Sequence, residues 1–338
     1  MANTLENHIG CRMAPLPTGN TTRRYRAWWQ RLPLVIACCL AARPCAKAAE
    51  PAPLAPGYHL RQLETGGLNR SYLIYIPKDY QAAKPAPVVL ALHGAAMNGP
   101  IMAAFCGINA TADKAGFIVV YPNGTGTGTF LVWNAGAFPG RLVASRPDDV
   151  AFINKLLDDL ATVVKVDSNR VFACGMSNGA MMCYRLAAEL SERIAAVAPV
   201  AGTIAIDESK PKRPVPVLHF HGTKDNLVPF DPPNAFKGMH LKSVAESIQT
   251  WIKLDGCDAT PKTEVLTNNG AKLKVTRETY GGGTQGTEVV LVRIEGGGHT
   301  WPGMVPMVSF IGKSTTDISA NNLIWEFFQK HPKPEVKP

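Results

Sequence analysis

Three side chains of this sequence, taken in chain order, have the types that acyl transfer requires: Ser177, Asp225 and His299. A serine hydroxyl is a weak nucleophile. It needs a neighbouring base, an acid that orients the base, and N–H donors for the oxyanion that develops during attack. Ser177 is the candidate nucleophile, His299 the candidate base and Asp225 the candidate acid. The sequence around each residue indicates whether it can take that role.

Ser177 lies at the centre of a Gly-x-Ser-x-Gly pattern at residues 175–179. An apolar, β-prone run at 171–174 precedes the pattern, and a helix-like run at 180–190 follows it directly. In a sharp strand-to-helix turn the serine stands clear of the backbone, and glycines leave room for the crowded chain. An ordinary glycine-rich turn is the alternative interpretation, since the five-residue pattern alone is weak. The strand–turn–helix context favours the catalytic one.

The candidate base and acid both follow predicted strands. His299 comes after the last predicted core strand and three glycines, which leave little side-chain bulk to hinder its approach to Ser177. Asp225 lies in the loop after the predicted strand 215–220. A surface-loop histidine and an aspartate of an Asx turn are the alternative interpretations. Asp231 is a rival for the acid, although the two prolines after it indicate a structural turn.

Backbone N–H groups of two residues are the predicted oxyanion donors. Asn178 directly follows the nucleophile, and Ala95 follows His93 and Gly94 in the loop after the predicted strand 87–92. The two N–H groups should converge on the carbonyl oxygen of a substrate. We expect His93 itself to have a structural role rather than a catalytic one.

The elements that must position these residues alternate between buried strands and helices. Apolar runs predict strands, and apolar positions at helical spacing predict helices. The predicted strands are 58–63, 71–76, 87–92, 117–121, 171–174, 194–200, 215–220 and 288–294. The predicted helices are 101–115, one that begins at Asp148 or Asp149, 180–190, 241–254 and 321–330. This alternation predicts an α/β fold with a mostly parallel sheet, helices on both faces, and catalytic groups at the carboxyl ends of the strands.

Two further patterns could indicate ligand sites. His219 and His221 point to one face of a predicted strand, as a metal-binding pair would, but no third ligand cluster lies near them in the sequence. The Gly/Thr-rich run 124–129 follows a strand, but no helix opens directly after it. A mobile or substrate-lining loop is therefore favoured over a dinucleotide site. We expect neither a metal nor a cofactor.

Residues 1–48 are predicted to be an export segment, followed by a single domain at 49–338. Arginines at positions 23, 24, 26 and 31 precede a short apolar run at 32–42, and an Ala-x-Ala pattern ends at Ala48. This order is typical of a secretory signal peptide. The alternatives are a disordered basic extension and a lipid anchor at Cys38, which ends a Val-Ile-Ala-Cys sequence similar to a bacterial lipoprotein box. We expect a secreted or periplasmic protein.

The basic charge of the chain comes mainly from this segment. The whole sequence has a formal net charge of +9. Residues 1–48 hold seven basic side chains and one acidic one, so the rest of the chain has a net charge of +3. We therefore expect no nucleic-acid partner. No apolar stretch of the sequence is long enough to span a membrane.

Taken together, the motifs resemble those of the secreted esterase family of poly(3-hydroxybutyrate) depolymerases and feruloyl or acetyl-xylan esterases. The resemblance covers residues 58–330 and depends on the order of six segments. These are Leu92-His93-Gly94, Trp133-Asn134-Ala135-Gly136, Asp148-Asp149-Val150, the Gly-x-Ser-x-Gly pattern, His221-Gly222-Thr223-x-Asp225 and Gly298-His299-Thr300-Trp301-Pro302-Gly303. The resemblance implies an α/β-hydrolase fold and hydrolysis of carboxylic esters without a cofactor. It also implies Ser177, Asp225 and His299 as the triad, in the chain order of that fold.

Four cysteines lie beyond the export segment: Cys106, Cys174, Cys183 and Cys257. Export permits disulfides, but Cys174 and Cys183 lie on a predicted core strand and the helix after it, where free buried thiols are expected. Members of the resembled family often carry cysteines around the Trp-Asn segment and before the last strand. This chain lacks cysteines in those two regions. Cys257 resembles one of the family's cysteines, but the cysteine that usually pairs with it is missing.

The residues and the resemblance together predict a serine esterase that acts on hydroxyalkanoate, feruloyl or acetyl-type esters. Trp301, two residues after the candidate base, is a tentative contact for an aromatic or polymeric substrate, with a packing role as the alternative. An exported non-catalytic binding protein on a hydrolase scaffold and a serine peptidase of similar fold are the alternative functions. The intact triad disfavours the first, and the lack of a propeller or cap domain disfavours the second.

Overall fold

A computed structural model of the chain describes residues 53–136, 147–232, 241–267 and 269–335. The strands in these ranges are β1 (Gly57–Thr65), β2 (Leu68–Ile76), β3 (Ala86–Leu92), β4 (Ile118–Pro122), β5 (Thr125–Thr127), β6 (Phe130–Val132), β7 (Val166–Met176), β8 (Val197–Val200), β9 (Val217–Gly222), β10 (Lys262–Val265), β11 (Val275–Tyr280) and β12 (Val289–Ile294). The helices are α1 (Gly99–Cys106), α2 (Asn109–Ala115), α3 (Asp149–Ala161), α4 (Asn178–Glu189), α5 (Val244–Asp255) and α6 (Ala320–Lys330).

Ten of the strands in the described ranges form one sheet in the order β1-β2-β4-β3-β7-β8-β9-β12-β11-β10. From β4 to β12 all neighbouring strands run parallel. Antiparallel pairs complete the two edges. Every residue of β3, β4, β8 and β9 is buried, as continuous apolar runs require when both faces of a sheet are covered. The predicted α/β fold with a mostly parallel central sheet is confirmed.

Helices cover both faces of the sheet and enclose two hydrophobic cores. Successive residues of β3 alternate between the cores, because neighbouring side chains of a strand point to opposite faces. The first core holds Phe152 of α3 and Trp251 of α5. The second core holds Met102 of α1 and Phe328 of α6. The central strands are therefore fixed from both sides, which holds the loops at their carboxyl ends in place.

The helix predicted at 101–115 is divided into α1 and α2. Gly107 lies between them in the left-handed conformation, with φ 61°, and its N–H donates to the Ala103 carbonyl. A left-handed glycine directly after the last helical residue is a common way for a helix to end. The sequence prediction ran through this glycine because the apolar positions on both sides have helical spacing.

Two antiparallel strand pairs lie outside the sequence prediction. β5 and β6 form a hairpin within the Gly/Thr-rich segment, and β10 and β11 extend the sheet beyond β12. All four residues of β10 are exposed or half-buried, so the strand has no buried apolar face to reveal it. These strands form through backbone hydrogen bonds, and their side-chain pattern does not predict strands from the sequence.

Residues 1–52 lie outside the described residues, and with them the predicted export segment and Cys38. Within the described ranges Cys106, Cys174 and Cys183 are buried free thiols, and Cys257 is a half-buried free thiol. No helix in the described part of the chain is long and apolar enough to cross a membrane.

Candidate active site

Ser177 occupies the turn between β7 and α4. Its N–H donates to the Val200 carbonyl at the end of β8 (2.9 Å), and its carbonyl accepts the N–H of Met181 in the first turn of α4 (3.0 Å). The turn holds Ser177 at φ 57° and ψ −118°, a conformation that residues with a side chain rarely adopt. The half-buried side chain is thereby presented at the carboxyl end of a central strand.

The glycines of the 175–179 pattern let α4 start directly against β3. A Cβ atom on Gly179 would lie 2.3 Å from the Leu92 carbonyl oxygen. A Cβ atom on Gly175 would lie 2.6 Å from the carbonyl oxygen of Gly179. Neither contact accommodates a side chain without a backbone shift. The two glycines are therefore required by the packing of the helix on the strand, in addition to any need of the turn itself.

His299 and Asp225 are in direct contact. The Nδ1–H of His299 donates to Oδ2 of Asp225 at 2.7 Å, and both side chains are buried. Oδ1 of Asp225 accepts the N–H groups of Leu227 and Val228, each at 2.9 Å. A proton on Nδ1 leaves Nε2 of His299 with a free lone pair, which a general base needs. The rival Asp231 is exposed, and it is Asp225 that the structure places against His299.

Ser177, Asp225 and His299 all lie at the carboxyl ends of central strands, directly after the parallel strands β7, β9 and β12. The structure brings the acid and the base into contact, and it places the nucleophile at the same end of the strands. Among the described residues no hydrogen bond joins Ser177 to His299. Hydrogen bonds of catalytic groups are often long before a substrate binds.

His93 anchors the loop that carries Ala95. Its fully buried ring accepts the N–H of Gly124 at Nε2 (2.9 Å) and donates Nδ1–H to the Gly94 carbonyl (2.7 Å). Burial lowers the pKa of His93 to about 4, so the ring is neutral at pH 7. These contacts agree with a structural role for His93. The half-buried Ala95 precedes Ala96, which has φ 61° and turns the chain at this point.

The Asn178 side chain ties the start of α4 to Trp133 of the Trp-Asn segment, a contact that the sequence does not reveal. Its Oδ1 accepts the N–H of Trp133 at 2.6 Å, and its Nδ2 donates to the Trp133 carbonyl at 3.2 Å. The indole N–H of Trp133 donates to the His93 carbonyl at 3.0 Å. The backbone N–H of Asn178 is at the first position of α4, where it has no acceptor within the helix.

A buried ion pair supports the same segment. Asp149 accepts Nη2–H of Arg70 at 2.6 Å and the N–H of Asn134 at 2.7 Å. Arg70 also donates to the Asn123 carbonyl at 3.0 Å. The sequence predicts that a helix begins at Asp148 or Asp149, but it does not reveal which aspartate caps the helix or that Asp149 pairs with Arg70. The structure gives the cap to Asp148, and Asp149 is free to position the Trp-Asn segment.

Trp301 is part of the hydrophobic core. Its side chain is 1% exposed, packs in the second core, and donates its indole N–H to Oδ1 of Asn321 at 2.9 Å. This burial supports the packing role that was the alternative interpretation of Trp301.

His219 and His221 bind each other. Nε2 of His219 lies 3.0 Å from Nδ1 of His221, so the two rings share a hydrogen bond. Within the described ranges no group of three or more His, Cys, Asp or Glu side chains could hold a metal ion.

Comparison with known proteins assigns the family. A family model described as Esterase PHB depolymerase, where PHB is poly(3-hydroxybutyrate), matches residues 70–225. A protein of Nocardia uniformis subsp. tsuyamanensis described as an esterase is 31% identical over 305 residues, which cover 79% of this chain and 86% of that protein. The chain belongs to the PHB depolymerase esterase family. It is an enzyme that hydrolyses carboxylic esters, and the family predicted from the motifs is confirmed.

This esterase is also similar to feruloyl esterase D of Neurospora crassa, with 26% identity over 311 residues, 89% of this chain and 97% of that protein. Among solved structures it resembles the acetyl xylan esterase from Aspergillus awamori, with a TM-score of 0.56 and 19% identity over 80% of this chain and 99% of that one. At that identity the likeness shows the fold alone, which is the predicted α/β-hydrolase fold.

Proposed function

We propose that Ser177, His299 and Asp225 are the catalytic triad of this esterase. The observation that carries the proposal is the 2.7 Å hydrogen bond from His299 to the buried Asp225, at the same end of the sheet strands as the strained turn that holds Ser177. This bond fixes the tautomer that leaves Nε2 of His299 free to take the serine proton. The Asp225 carboxylate then stabilises the imidazolium that forms.

The reaction proceeds in two halves. Oγ of Ser177 attacks the ester carbonyl carbon while its proton passes to Nε2 of His299, and the N–H groups of Ala95 and Asn178 bind the oxyanion. Collapse of this intermediate expels the alcohol, which takes the proton from His299 and leaves an acyl-serine. His299 then takes a proton from a water molecule, whose oxygen attacks the acyl carbon. When this second intermediate collapses, the carboxylic acid leaves and Oγ of Ser177 takes the proton back from His299. These steps require no cofactor.

Two segments with exposed apolar side chains adjoin the loops of the proposed site: one bonds to Ala96, and the other directly precedes Ile311, whose carbonyl accepts the N–H of His299. On the β3–β4 side, the β5–β6 hairpin carries exposed Phe130 and accepts the N–H of Ala96 at the Leu131 carbonyl (2.9 Å). On the β12 side, the chain after His299 carries four exposed apolar side chains at 305, 307, 308 and 310. Exposed apolar patches beside a site favour an apolar ligand. We therefore propose that the substrate has an extended apolar or aromatic body, as a hydroxyalkanoate polyester or a hydroxycinnamoyl ester has.

The proposed triad and the proposed apolar substrate can be tested with one panel of substrates. The panel consists of an acetyl ester, a feruloyl ester, a hydroxybutyrate oligomer and a peptide anilide. We expect ester hydrolysis but no peptide cleavage, and a loss of turnover of at least about 10³-fold in Ser177→Ala. We expect Phe130→Ser and Phe310→Ser to raise KM for the feruloyl ester or the oligomer by about tenfold while acetyl hydrolysis is kept. Ester turnover that survives in Ser177→Ala would contradict the triad, and equal effects on all esters would contradict the apolar borders.

We also propose that residues 1–48 direct export and that residues 49–338 are the mature domain. The support is the order of basic, apolar and Ala-x-Ala segments at the start of the chain. Mass spectrometry of the exported protein should find a mature chain that begins at Ala49, in the wild type and in Cys38→Ala alike. A lipid-modified N-terminus at Cys38 would establish the anchored alternative.

A further inference from the structure

A continuous chain of hydrogen bonds lies behind the proposed acid. Tyr184 of α4 donates its O–H to Nδ1 of His219 at 2.8 Å. His219 donates Nε2–H to Nδ1 of His221 at 3.0 Å, and His221 donates Nε2–H to the Val228 carbonyl at 2.9 Å. The N–H of Val228 in turn donates to Oδ1 of Asp225 at 2.9 Å. The chain therefore connects the helix that begins at the nucleophile with the loop that holds the acid.

The Val228 carbonyl determines the direction of the hydrogen bonds among His221, His219 and Tyr184. The Val228 carbonyl can only accept, so His221 carries its proton on Nε2 and accepts at Nδ1. His219 must then carry its proton on Nε2 as well, and its Nδ1 accepts from the Tyr184 hydroxyl. All four ring nitrogens are satisfied with both histidines neutral, and one set of tautomers achieves this.

Burial favours the neutral form of both rings. The side chains of His219 and His221 are essentially inaccessible, and their rings lie nearly parallel with centroids 5.2 Å apart. Burial lowers the pKa of His219 well below its ordinary value, and it lowers the pKa of His221 more than the nearby Asp225 carboxylate raises it. The other titratable or charged groups around the pair are Tyr184, His299 and Arg293, whose guanidinium lies over the Phe230 ring beside His221.

His221 reaches both oxygens of the acid. Through the Val228 carbonyl it holds the residue whose N–H donates to Oδ1 of Asp225. Its own Nε2 lies 3.5 Å from Oδ2, the oxygen that accepts Nδ1–H of His299. A change of tautomer at His221 would replace this N–H by a lone pair, which would repel both the Val228 carbonyl and the carboxylate.

We propose that His221 is a positioning residue that holds the Asp225 carboxylate in line with His299, and that His219 and Tyr184 set its tautomer. This inference rests on the proposed triad. The carboxylate of a catalytic triad acts through its geometry, because it must accept from the base at a fixed angle in order to stabilise the imidazolium. The chain of hydrogen bonds supplies that rigidity from inside the core.

Nitrogen-15 NMR of the histidine side chains in the full-length enzyme tests the tautomers directly. We expect His219 and His221 to show protonated Nε2 and unprotonated Nδ1 at neutral pH, with no titration near pH 6.5. In Tyr184→Phe, the resonances of both rings should change because His219 loses its donor. A protonated Nδ1 on His221, or titration of either ring near pH 6.5, would overturn the proposal. This measurement does not depend on catalysis.

Kinetics of His221 variants test the positioning role. We expect His221→Leu to lower kcat by roughly 10–100-fold with little change in KM. The acidic limb of its kcat/KM profile should move to lower pH, because a misaligned carboxylate stabilises the His299 imidazolium less. His221→Gln, whose amide can still donate to the Val228 carbonyl, should recover most of the lost turnover. A His221→Leu enzyme that is less stable but has the wild-type kcat and pH profile would show a structural role only and overturn the proposal.

A matched pair of tyrosine variants separates positioning from stability. Tyr121 is as fully buried as Tyr184, and its O–H donates to Oδ1 of Asn109 at 2.6 Å, outside this chain of bonds. We expect Tyr184→Phe and Tyr121→Phe to lose similar thermal stability, whereas only Tyr184→Phe lowers kcat and shifts the pH profile. Equal kinetic effects in both would contradict the proposal. If Ser177→Ala retained esterase activity, the triad would fail, and the NMR tautomers would still decide whether the chain of bonds exists.

Discussion

At the scale of single residues, the site depends on contacts between side chains that are far apart in sequence. His299 and Asp225 are separated by 74 positions and meet at 2.7 Å. Their motifs could be recognised because each follows a buried strand. The supporting contacts, Asn178 with Trp133 and Asp149 with Arg70, could not, because nothing near either residue in the sequence indicates its partner.

Trp301 shows how proximity in sequence can mislead at this scale. We expect Trp301→Phe to lower the free energy of unfolding by about 1–3 kcal/mol, because the buried indole hydrogen bond to Asn321 is lost. The kcat/KM for esters should be unchanged, since the side chain lies in the core. Urea unfolding and ester hydrolysis check the two parts. A tenfold loss of kcat/KM at unchanged stability would show that Trp301 contacts substrate after all.

At the scale of elements, the central strands and most helices could be predicted because their apolar periodicity is strong. The break at Gly107 and the β5–β6 hairpin could not, since the first depends on a single left-handed residue and the second on backbone pairing. The hairpin bears on the proposed function because its Leu131 carbonyl accepts the N–H of Ala96, next to the proposed oxyanion donor Ala95. From the sequence, its Gly/Thr-rich segment is predicted only to be a mobile or substrate-lining loop.

The closeness of α4 to β3 gives a prediction at this scale. Gly179→Ala would place a Cβ atom 2.3 Å from the Leu92 carbonyl oxygen, so the helix must move away from the strand. We expect a loss of about 1–3 kcal/mol in stability and a fall in kcat, because Ser177 and the Asn178 N–H move with the helix. Gly281→Ala is the matched control, since nothing lies within 4 Å of its added Cβ. Equal behaviour of the two variants would refute the packing argument.

At the scale of the whole molecule, a buried carboxyl links α5 to the central sheet. Asp255, the last residue of α5, accepts the Val215 N–H at 3.0 Å just before β9, and its other oxygen has no partner within the described residues. Burial raises the pKa of Asp255 from 3.8 to about 7. The folded protein therefore binds a proton that the unfolded chain releases between these two values, so this contribution to stability is complete below about pH 4 and is lost as the pH rises to 7.

The ionisation of Asp255 should make the free energy of unfolding depend on pH. Between pH 5 and pH 8 we expect the wild type to lose about 2–3 kcal/mol of unfolding free energy relative to Asp255→Asn, which has no proton to lose. Urea denaturation at both pH values measures the difference. Asp258→Asn, at an exposed position, should follow the wild type. An Asp255→Asn protein with the same pH dependence as the wild type would show that the carboxyl is ionised throughout.

The central claim for the whole molecule is that one serine forms the covalent intermediate. Treating the full-length protein with a fluorophosphonate probe and mapping the adduct by mass spectrometry tests this most directly. We predict a single adduct on Ser177, absent in Ser177→Ala and formed much more slowly in His299→Ala because the base is lost. An unlabelled wild type, or an adduct that persists in Ser177→Ala, would contradict the proposed mechanism.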